Sequence, residues 1–547
     1  MYILGYSDSV HDRSVCLFKD NVPLVAIEEE RLTRVKHGLK LYDKSRKNPE
    51  IFSQMNLESE STKANEASLI PMIDYCLESA NISLKDIDIM IGNSLHLAFP
   101  FHGKSLYLNH HLAHASAAFY ASGFEEAAIF AADGYGDLTD DHCYETVVLA
   151  HGKGNNIETL ETVEGQVSSY YDMQNSLGVF YRVGSLLSGF GMFDEGKTMG
   201  LSSYGKPIFY DQIKKYLTYT DTMVEIENGK LWDELSVAIV PRDDFETRAN
   251  IACSFQKHLE ELIVFYVNRL HDLVKTDYLC LAGGTGLNCV SNAKLTLSTK
   301  FKEVFVFPAT GDNGISFGAA YYAAHKVLGL PRTPQLEHSY FGKSYTPEEE
   351  KKALSKNTKK VDYKKLETKE VINLAAKLLE KNEIIMWYQE GCELGPRALG
   401  HRSIIANPTE RATKDYINEH VKFRENFRPL APIVLEESAQ EYFDFKFKSP
   451  FMLFSPGVKQ KAIDLAPAVV HINNTARLQT LNKVQNKKLY SVIERFSQVS
   501  GVPIILNTSF NGKDEPIVET PQEAINTFLK SPVKHMFLDN FYVTKKI

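Results

Sequence analysis

The residue types best suited to chemistry stand close together between residues 105 and 137. There an alanine-rich segment, residues 109–122, predicts a helix, and His110 and His114 share one of its faces because they stand four positions apart. Asp133 follows an apolar stretch typical of a buried strand, and Asp312 lies in a loop after a later apolar stretch. Two imidazoles with carboxylates form a mixed nitrogen and oxygen set that suits iron, zinc or manganese. A histidine pair packed near carbonyls, and a helix N-cap role for Asp312, are the structural alternatives.

Glycine-rich loops after predicted strands form a second group of candidates. A glycine lets the backbone approach a phosphate, and the amides at a following helix N-terminus favour the anion. The loop after Asp133 and the loop at residues 283–292 have this form. A lysine beside glycines at residues 195–200 is a weaker signal, because it lacks the Walker A pattern. The predicted nucleotide-binding residues are Gly134, Gly136, Lys197, Gly283, Gly284 and Asn288.

Basic residues towards the C-terminus form a third group. They stand at predicted loops or strand ends, and in a chain of net charge −8 their clustering favours a focused anion site over a broadly basic surface. A single arginine is more typical of a surface ion pair, but the set, with nearby asparagine and serine side chains, predicts a pocket for phosphate and carbamate. These residues are Arg397, Arg402, Lys422, Arg424, Arg428, Arg477, Asn507, Ser509 and Asn511.

Composition limits the class of protein. The 547 residues, 44% apolar and 24% charged, are typical of a soluble globular protein of two or three domains. The negative net charge argues against broad nucleic-acid affinity, which needs a basic surface. The seven cysteines include no CxxC pair, so neither a disulfide framework nor a zinc ribbon is predicted. Without a signal-like N-terminus or a long apolar run, the chain is expected to be cytoplasmic and to have no membrane segment.

A repeated order of elements predicts the fold of the first domain. Residues 2–28 and 127–149 each read as a strand, an acidic turn and a second strand. Two such halves facing one cleft are the plan of the nucleotide-binding fold of actin, hexokinase and Hsp70, known as ASKHA. A stretch rich in proline, lysine and glutamate marks a boundary, which predicts an ASKHA-like domain at residues 1–335 and a second domain at residues 336–547. Residues 206–245 are predicted to be an irregular surface insertion.

Several long motifs follow one another in a defined order along the whole chain. They are HDRS, EEERLTRVKHG, NHHLAHASAAFYASGF, DGYGD, EGKTMGLSSYG, GGTGLNCVSN, GDNGISFGAA, GPRALGHRS, FRENFRPLAP and LNTSFN. Together they resemble the O-carbamoyltransferases of the NodU and CmcH type, which belong to nodulation-factor and antibiotic pathways. This resemblance implies an α/β protein in which a two-lobed ASKHA domain, the carbamoyl-transfer domain, precedes an α+β domain similar to YrdC.

The resemblance also implies a two-step reaction that uses ATP with Mg²⁺ and carbamoyl phosphate. The C-terminal domain would form carbamoyl adenylate and pyrophosphate, and the KxR and SxN patterns of YrdC-type proteins match Lys422 with Arg424 and Ser509 with Asn511. The family's usual DGTAR reads NNTAR at residues 473–477, which keeps the arginine.

In the N-terminal domain the carbamoyl group would pass to a hydroxyl of a small natural product or sugar. The family metal is iron, expected as Fe²⁺. His11 and Lys36 match positions near the family's acceptor pocket, and His11 is the candidate base for the hydroxyl proton. The positions that match the family's metal ligands are His110, His114, Asp133 and Asp312.

Two other functions remain open at this point. One is a threonylcarbamoyl-type tRNA modification enzyme, which uses the same two modules; the net charge counts against a tRNA partner. The other is a non-enzymatic ATP-gated binding protein, which leaves the histidine pair and the basic residues unexplained. The acceptor compound and the oligomeric state are also open, with a homodimer as one alternative.

Overall fold

The computed structural model describes residues 1–38, 57–93, 101–139, 142–167, 172–238 and 244–546. These residues divide into two compact units. The N-terminal unit comprises Met1–Glu30 and His37–Leu336, and the C-terminal unit comprises Arg31–Lys36 and Glu337–Ile547. The short segment Arg31–Lys36 therefore belongs to the unit that is formed mainly by the end of the chain.

A five-stranded sheet begins the N-terminal unit. Its strands are β1 (Tyr2–Ser7), β2 (Ser14–Lys19), β3 (Val22–Glu28), β4 (Ile89–Gly92) and β5 (Lys104–Tyr107). β1, β2 and β3 form an antiparallel meander, whereas β4 pairs parallel with β1 and β5 pairs parallel with β4. The resulting order is β3-β2-β1-β4-β5. β1 and β4 are almost wholly buried, as strands covered on both faces are.

A second five-stranded sheet repeats this plan. Its meander is β6 (Glu126–Ala132), β7 (Tyr144–Lys153) and β8 (Asn156–Gly165). A separate hairpin follows, β9 (Leu217–Tyr219) with β10 (Val224–Ile226), and then β11 (Tyr278–Ala282) and β12 (Glu303–Val306) complete the sheet. Its order, β12-β11-β6-β7-β8, again has two parallel strands beside the first strand of a meander. This duplicated topology confirms the predicted ASKHA plan.

Helices cover the two sheets and place the candidate residues. Helix His110–Ser122 packs on β6 and β11, helix Ile315–Tyr322 packs on β1, and the two helices contact each other. These two helices therefore form the junction between the two sheets. The first carries the histidine pair, and Asp312 lies just before the second. The helices of the N-terminal unit also include Leu57–Ala80, Leu177–Leu187, Glu195–Ser202, Tyr210–Lys214, Asn228–Ala238, Phe245–Leu273 and Cys289–Ser298.

The prediction of an irregular insertion at residues 206–245 was wrong. The described part of this stretch contains helices Tyr210–Lys214 and Asn228–Ala238 and the β9–β10 hairpin. These elements are too short for their periodicity to stand out in a polar sequence.

The C-terminal unit is an α+β domain, as predicted, with one eight-stranded mixed sheet. The helices of this unit are Pro347–Ser355, Thr368–Glu380, Arg411–Tyr416, Ala439–Tyr442, Gln460–Leu465, Lys487–Ser500 and Pro521–Lys530. The strands are β13 (Val361–Lys365), β14 (Ile385–Tyr388), β15 (Arg402–Ala406), β16 (Ala431–Leu435), β17 (Gln479–Leu481), β18 (Ile504–Ser509), β19 (His535–Leu538) and β20 (Phe541–Lys545). They lie in the order β13-β20-β19-β14-β15-β18-β16-β17. Among the helices of the described ranges, none is long and apolar enough to cross a lipid bilayer.

Candidate functional site

Four residues with metal-ligating side chains come together in the N-terminal unit. His110 and His114 lie one turn apart on the same helix, so their imidazoles project from one face. Asp133 directly follows β6, and Asp312 opens the turn that leads into helix Ile315–Tyr322. The structure therefore gathers residues that are far apart in the sequence, at a strand end, a helix face and a helix entrance.

Their ligand atoms lie at the separations that one cation requires. His114 Nε2 lies 3.2 Å from His110 Nε2 and 3.1 Å from Asp133 Oδ2. Asp312 Oδ1 lies 3.5 Å from His114 Nε2 and 3.6 Å from His110 Nε2. One atom from each of the four residues falls within 4.8 Å of the others. Metal–ligand bonds of about 2.0–2.2 Å place neighbouring ligand atoms roughly 3–3.5 Å apart, so the set fits a single ion.

Burial supports the same reading of this cluster. His114 is 1% exposed and Asp312 is 8% exposed. Asp133 Oδ2 is buried and accepts no hydrogen bond from the described residues, although an imidazole nitrogen lies close to it. A buried carboxylate oxygen without a donor is costly unless a positive charge faces it. The residues present thus fit a bound cation.

The imidazoles and carboxylates of the cluster shift one another's pKa values. Burial lowers the pKa of His114, but the carboxylates of Asp133 and Asp312 outweigh it and raise the pKa to about 9. Burial would raise the pKa of the Asp133 carboxyl, but the imidazoles of His110 and His114 hold it well below its usual range. The imidazoles therefore keep the Asp133 carboxylate ionised, as a metal ligand must be.

His111, beside the cluster, has a different role. It is fully buried, and its Nδ1 lies 3.4 Å from Glu145 Oε2. A Cβ at Gly136 would overlap this imidazole, so Gly136 leaves room for a side chain. The predicted role of Gly136 towards a nucleotide stays a prediction.

Three of the predicted nucleotide-binding glycines surround Asp133. The Gly134 amide donates to Asp133 Oδ1 at 2.7 Å, and a Cβ at Gly284 would lie 2.8 Å from the same oxygen. Gly283 has φ of 82°, and a Cβ there would overlap the Ala132 carbonyl. The two glycine loops therefore approach the metal-type cluster closely, and a Cβ at Gly283 or Gly284 would come too close to its neighbours.

The other two predicted nucleotide ligands are held by protein groups. Asn288 caps helix Cys289–Ser298 by accepting from the Ser291 amide at 3.0 Å, and it donates to Gln256 Oε1 at 2.9 Å. The side chain is 6% exposed, and its role towards a nucleotide stays a prediction. Lys197 donates to Asp194 Oδ2 at 2.8 Å; its role towards a nucleotide stays a prediction.

His11 adjoins the metal-type cluster and belongs to a network that the sequence did not reveal. Its Nε2 lies 4.0 Å from Asp312 Oδ2, and its Nδ1 lies 2.9 Å from Asp12 Oδ2. His37 Nδ1 lies 2.8 Å from the other oxygen of Asp12, and the Phe193 ring packs against both imidazoles. Asp12 therefore holds both imidazole rings in place. In the sequence, this network was indicated only by the adjacent histidine and aspartate of the HDRS motif.

The pKa of His11 follows from these neighbours. Burial lowers it, but the hydrogen bond to Asp12 and the charges of Asp312, Asp12 and Asp133 raise the pKa to about 9. Lys36, predicted beside His11 in the acceptor pocket, is assigned by its contacts to the C-terminal unit.

The predicted KxR and SxN residues meet in the C-terminal unit. Lys422 is 4% exposed, and its ammonium donates to the Ser509 carbonyl at 2.8 Å and to the Asn511 carbonyl at 2.9 Å. It also donates to the Asn511 side chain. The structure thus brings together, across two loops, the lysine of one pattern and both polar residues of the other.

Arginines lie around this lysine. Arg424 Nε donates to Asn418 Oδ1 at 2.9 Å, and burial with the nearby charges of Arg428 and Arg477 lowers the pKa of its guanidinium. Burial and the charge of Arg424 lower the pKa of Lys422 in the same way. Arg477 Nε is buried without a hydrogen-bond partner among the described residues. So many cations close together favour an anionic ligand.

Comparisons with known proteins show which family the chain belongs to. Family models described as "Carbamoyltransferase N-terminus" and "Carbamoyltransferase C-terminus" match residues 94–321 and 376–545. Nodulation protein NolNO of Sinorhizobium fredii is 32% identical over 98% of this chain and 79% of its own length. Nodulation protein NolO of Bradyrhizobium diazoefficiens is 36% identical over 80% of this chain and 79% of its own length. The chain belongs to the carbamoyltransferase family.

Solved structures add little to this assignment. Full-length HypF in its phosphate- and nucleotide-bound form is 14% identical to this carbamoyltransferase, with a TM-score of 0.36 over 60% of this chain and 55% of HypF. A likeness at that level carries no argument about function.

In this carbamoyltransferase, two residues of the predicted anion site are buried and hydrogen-bonded to backbone carbonyls. Arg402 is 0% exposed, donates to the Gln389 carbonyl at 2.7 Å and stacks on Tyr388 with its guanidinium carbon 3.5 Å from the ring centre. Asn507 is 1% exposed and donates to the Ala398 carbonyl at 2.9 Å. Their assignment to the anion site stays a prediction. Arg397 lies half-buried in the loop between β14 and β15, and its role in the anion site stays a prediction.

Proposed function

We propose that this carbamoyltransferase consumes ATP, with Mg²⁺, and carbamoyl phosphate and carbamoylates a hydroxyl of a small natural product or sugar. The observation that carries the proposal is the presence of two chemically different sites. One is a buried set of two imidazoles and two carboxylates, and the other is a cluster of cations around Lys422. A reaction with an anionic activation step and a separate transfer step uses both kinds of site.

The activation step suits the C-terminal unit. Carbamoyl phosphate is cleaved by water to carbamate and phosphate; a carbamate oxygen then attacks the α-phosphorus of ATP, which gives carbamoyl adenylate and releases pyrophosphate. Negative charge on the phosphoryl oxygens is stabilised by Lys422, Arg424, Arg428 and Arg477. Fixed cations in a partly dry site stabilise such charge more than water does.

The transfer step suits the N-terminal unit. The acceptor hydroxyl oxygen attacks the carbamoyl carbon, the bond from that carbon to the phosphate oxygen breaks, and AMP leaves. His11 Nε2 takes the hydroxyl proton, and Asp12 holds the ring so that Nε2 faces Asp312. Gly134, Gly283 and Gly284 give the adenylate phosphate access to backbone amides.

The residues His110, His114, Asp133 and Asp312 would hold the iron that we expect from the family. When bound, Fe²⁺ supplies Lewis acidity to the carbamoyl oxygen and offsets the carboxylates that raise the pKa of His11.

Pyrophosphate release from ATP tests the proposal without knowledge of the acceptor. The full-length protein is incubated with ATP and Mg²⁺, with and without carbamoyl phosphate, and pyrophosphate and orthophosphate are measured separately. We expect pyrophosphate only when carbamoyl phosphate is present. Release of ADP and orthophosphate from ATP, or the same pyrophosphate release without carbamoyl phosphate, would contradict the proposal.

A further inference from the structure

Helix Leu177–Leu187 begins directly against the loop that follows Asp133. Ser176, the N-cap residue of this helix, donates through its hydroxyl to the Gly134 carbonyl at 2.5 Å. A Cβ at Gly178 would lie only 2.6 Å from the Gly134 amide nitrogen. The first turn of the helix therefore packs tightly on the peptide between Asp133 and Gly134, at the edge of the metal-type cluster.

Arg182 lies on the same face of the helix as Gly178, because the two residues stand four positions apart. Side chains of a helix tilt towards its N-terminus, so the arginine extends back over Gly178, where glycine leaves room for it. Arg182 is 9% exposed, and a Cβ at Gly134 would lie 3.5 Å from its Nη2. The guanidinium therefore lies beside the backbone that directly follows Asp133.

The guanidinium of Arg182 is also within electrostatic range of the metal-type cluster. Burial raises the pKa of the Tyr135 hydroxyl, and the positive charge of Arg182 opposes that shift. The carboxylates of Asp312 and Asp133 contribute to raising the same pKa. Outside the cluster, Glu195 Oε1 lies 3.7 Å from Arg182 Nε, which is longer than a hydrogen bond. One buried arginine thus adjoins the carboxylates expected to hold a metal ion.

A positive charge beside a metal site favours an anionic ligand at that place. A metal ion on the four ligands and the guanidinium of Arg182 repel each other, and an anion that contacts both offsets this repulsion. The planar fork of donors of an arginine matches two oxygens of a phosphate. In the transfer step, the adenylate phosphate gains negative charge as AMP leaves, so a fixed cation here stabilises the leaving group.

We propose that Arg182 is a ligand-binding residue of the N-terminal site, where it binds the phosphate of carbamoyl adenylate and of the AMP product. Ser176 and Gly178 are positioning residues, because they hold the helix against the Gly134 loop. The identity of the nucleotide rests on the proposed function.

Binding of AMP and of adenosine tests this assignment, because the two ligands differ only in the phosphate. Calorimetric titrations use the full-length Arg424→Met protein, loaded with Fe²⁺, as the parent; it lacks one cation of the C-terminal cluster around Lys422, which weakens phosphate binding there. Arg182→Met, Arg182→Lys and the control Arg269→Met are introduced into this parent. Arg269 is a matched control, since it also pairs with a glutamate, Glu161 of β8.

We expect Arg182→Met to weaken AMP binding roughly 10- to 100-fold, the loss of one charge-assisted contact, and to leave adenosine binding unchanged. Arg182→Lys should retain part of the AMP affinity, because an ammonium keeps the charge but not the paired donors. Arg269→Met should match the parent for both ligands. This pattern separates a phosphate contact from a role in maintaining the fold, which would change the affinity for both ligands.

Three results would overturn the inference. They are unchanged AMP affinity in Arg182→Met, an equal loss of AMP and adenosine affinity in that variant, and a parent protein that binds AMP no more tightly than adenosine. The titrations contain neither carbamoyl phosphate nor an acceptor, so their outcome is separate from the pyrophosphate test. A wild type that releases no pyrophosphate contradicts the proposed function, whereas the preference for AMP decides the role of Arg182.

Discussion

Replacing His114 by asparagine should remove the metal and leave the activation step intact. His114 is central to the predicted metal site: its Nε2 lies 3.2 Å from His110, 3.1 Å from Asp133 and 3.5 Å from Asp312. Asparagine is polar but too short to bring a donor atom to the same place. A four-ligand site contributes on the order of 10–16 kcal/mol, so one ligand accounts for about 2.5–4 kcal/mol, roughly two to three powers of ten in affinity.

The assay measures metal content and pyrophosphate release on the same samples. Wild type and His114→Asn are loaded anaerobically with Fe²⁺, passed through a desalting column and analysed by elemental mass spectrometry. His111→Asn is the matched control, because His111 is a buried histidine of the same helix that faces Glu145 instead. We expect one metal per chain for wild type and control, and little for His114→Asn.

Two results would refute this reasoning. If His114→Asn retained metal with unchanged affinity, the four residues would be a hydrogen-bonded cluster and not a metal site. If it lost pyrophosphate release as fully as metal, the two units would not perform separate steps. Comparable denaturation midpoints of the two histidine variants are needed to attribute the difference to the metal.

Three further changes have defined outcomes. Arg424→Met should lower pyrophosphate release roughly 10²–10³-fold, the usual effect of removing one donor that stabilises transition-state charge, whereas the exposed Arg495→Met should not. Asp12→Asn should lower the free energy of unfolding by about 1.5–3 kcal/mol, because both His11 and His37 lose a charged acceptor, and denaturant titration measures it. Burial and the charges of Arg477 and Lys414 lower the pKa of His471 from 6.5 to about 3. The contribution of neutral His471 to the free energy of unfolding is therefore complete above pH 6.5 and is lost as the pH falls towards 3. From pH 7 to pH 5, the free energy of unfolding of the wild type should therefore fall by about 2 kcal/mol more than that of His471→Gln.

Each of these changes also has an outcome that contradicts it. Normal activation by Arg424→Met would remove the proposed anion site. An Asp12→Asn protein as stable as the exposed control Asp20→Asn would mean that the two imidazoles are held by packing alone. Identical pH profiles of unfolding for His471→Gln and the wild type would mean that His471 is not kept neutral by burial.

The metal-type cluster could be predicted because each of its residues obeys a local rule. Two histidines four positions apart share a helix face, and an acidic residue directly after a buried strand stands at the edge of a sheet. Gathering the three segments required only that the duplicated topology be correct. The same rules say nothing about Asp12 with His37, because that pair joins two loops that no periodicity connects.

Arg402 and Asn507 could not be placed from the sequence for a different reason. They lie on β15 and β18, neighbouring strands in which Asn507 pairs with Ile405. All five residues of β15 are buried, so its sequence has no alternation to indicate which way a side chain points. The carbonyl partners of Arg402 are therefore visible only in the structure.

The completeness of the metal-type cluster depends on close packing at two glycines. A Cβ at Gly318 would overlap the Ala113 carbonyl oxygen, and a Cβ at Gly5 would overlap the Ser316 carbonyl oxygen. Helix Ile315–Tyr322 can therefore approach both its partner helix and β1 more closely than a larger residue would allow. Asp312 opens the turn into this helix and His114 adjoins Ala113, so this packing sets the 3.5 Å between Asp312 Oδ1 and His114 Nε2. The GDNGISFGAA motif thus supplies both a ligand and the glycine that brings it within reach.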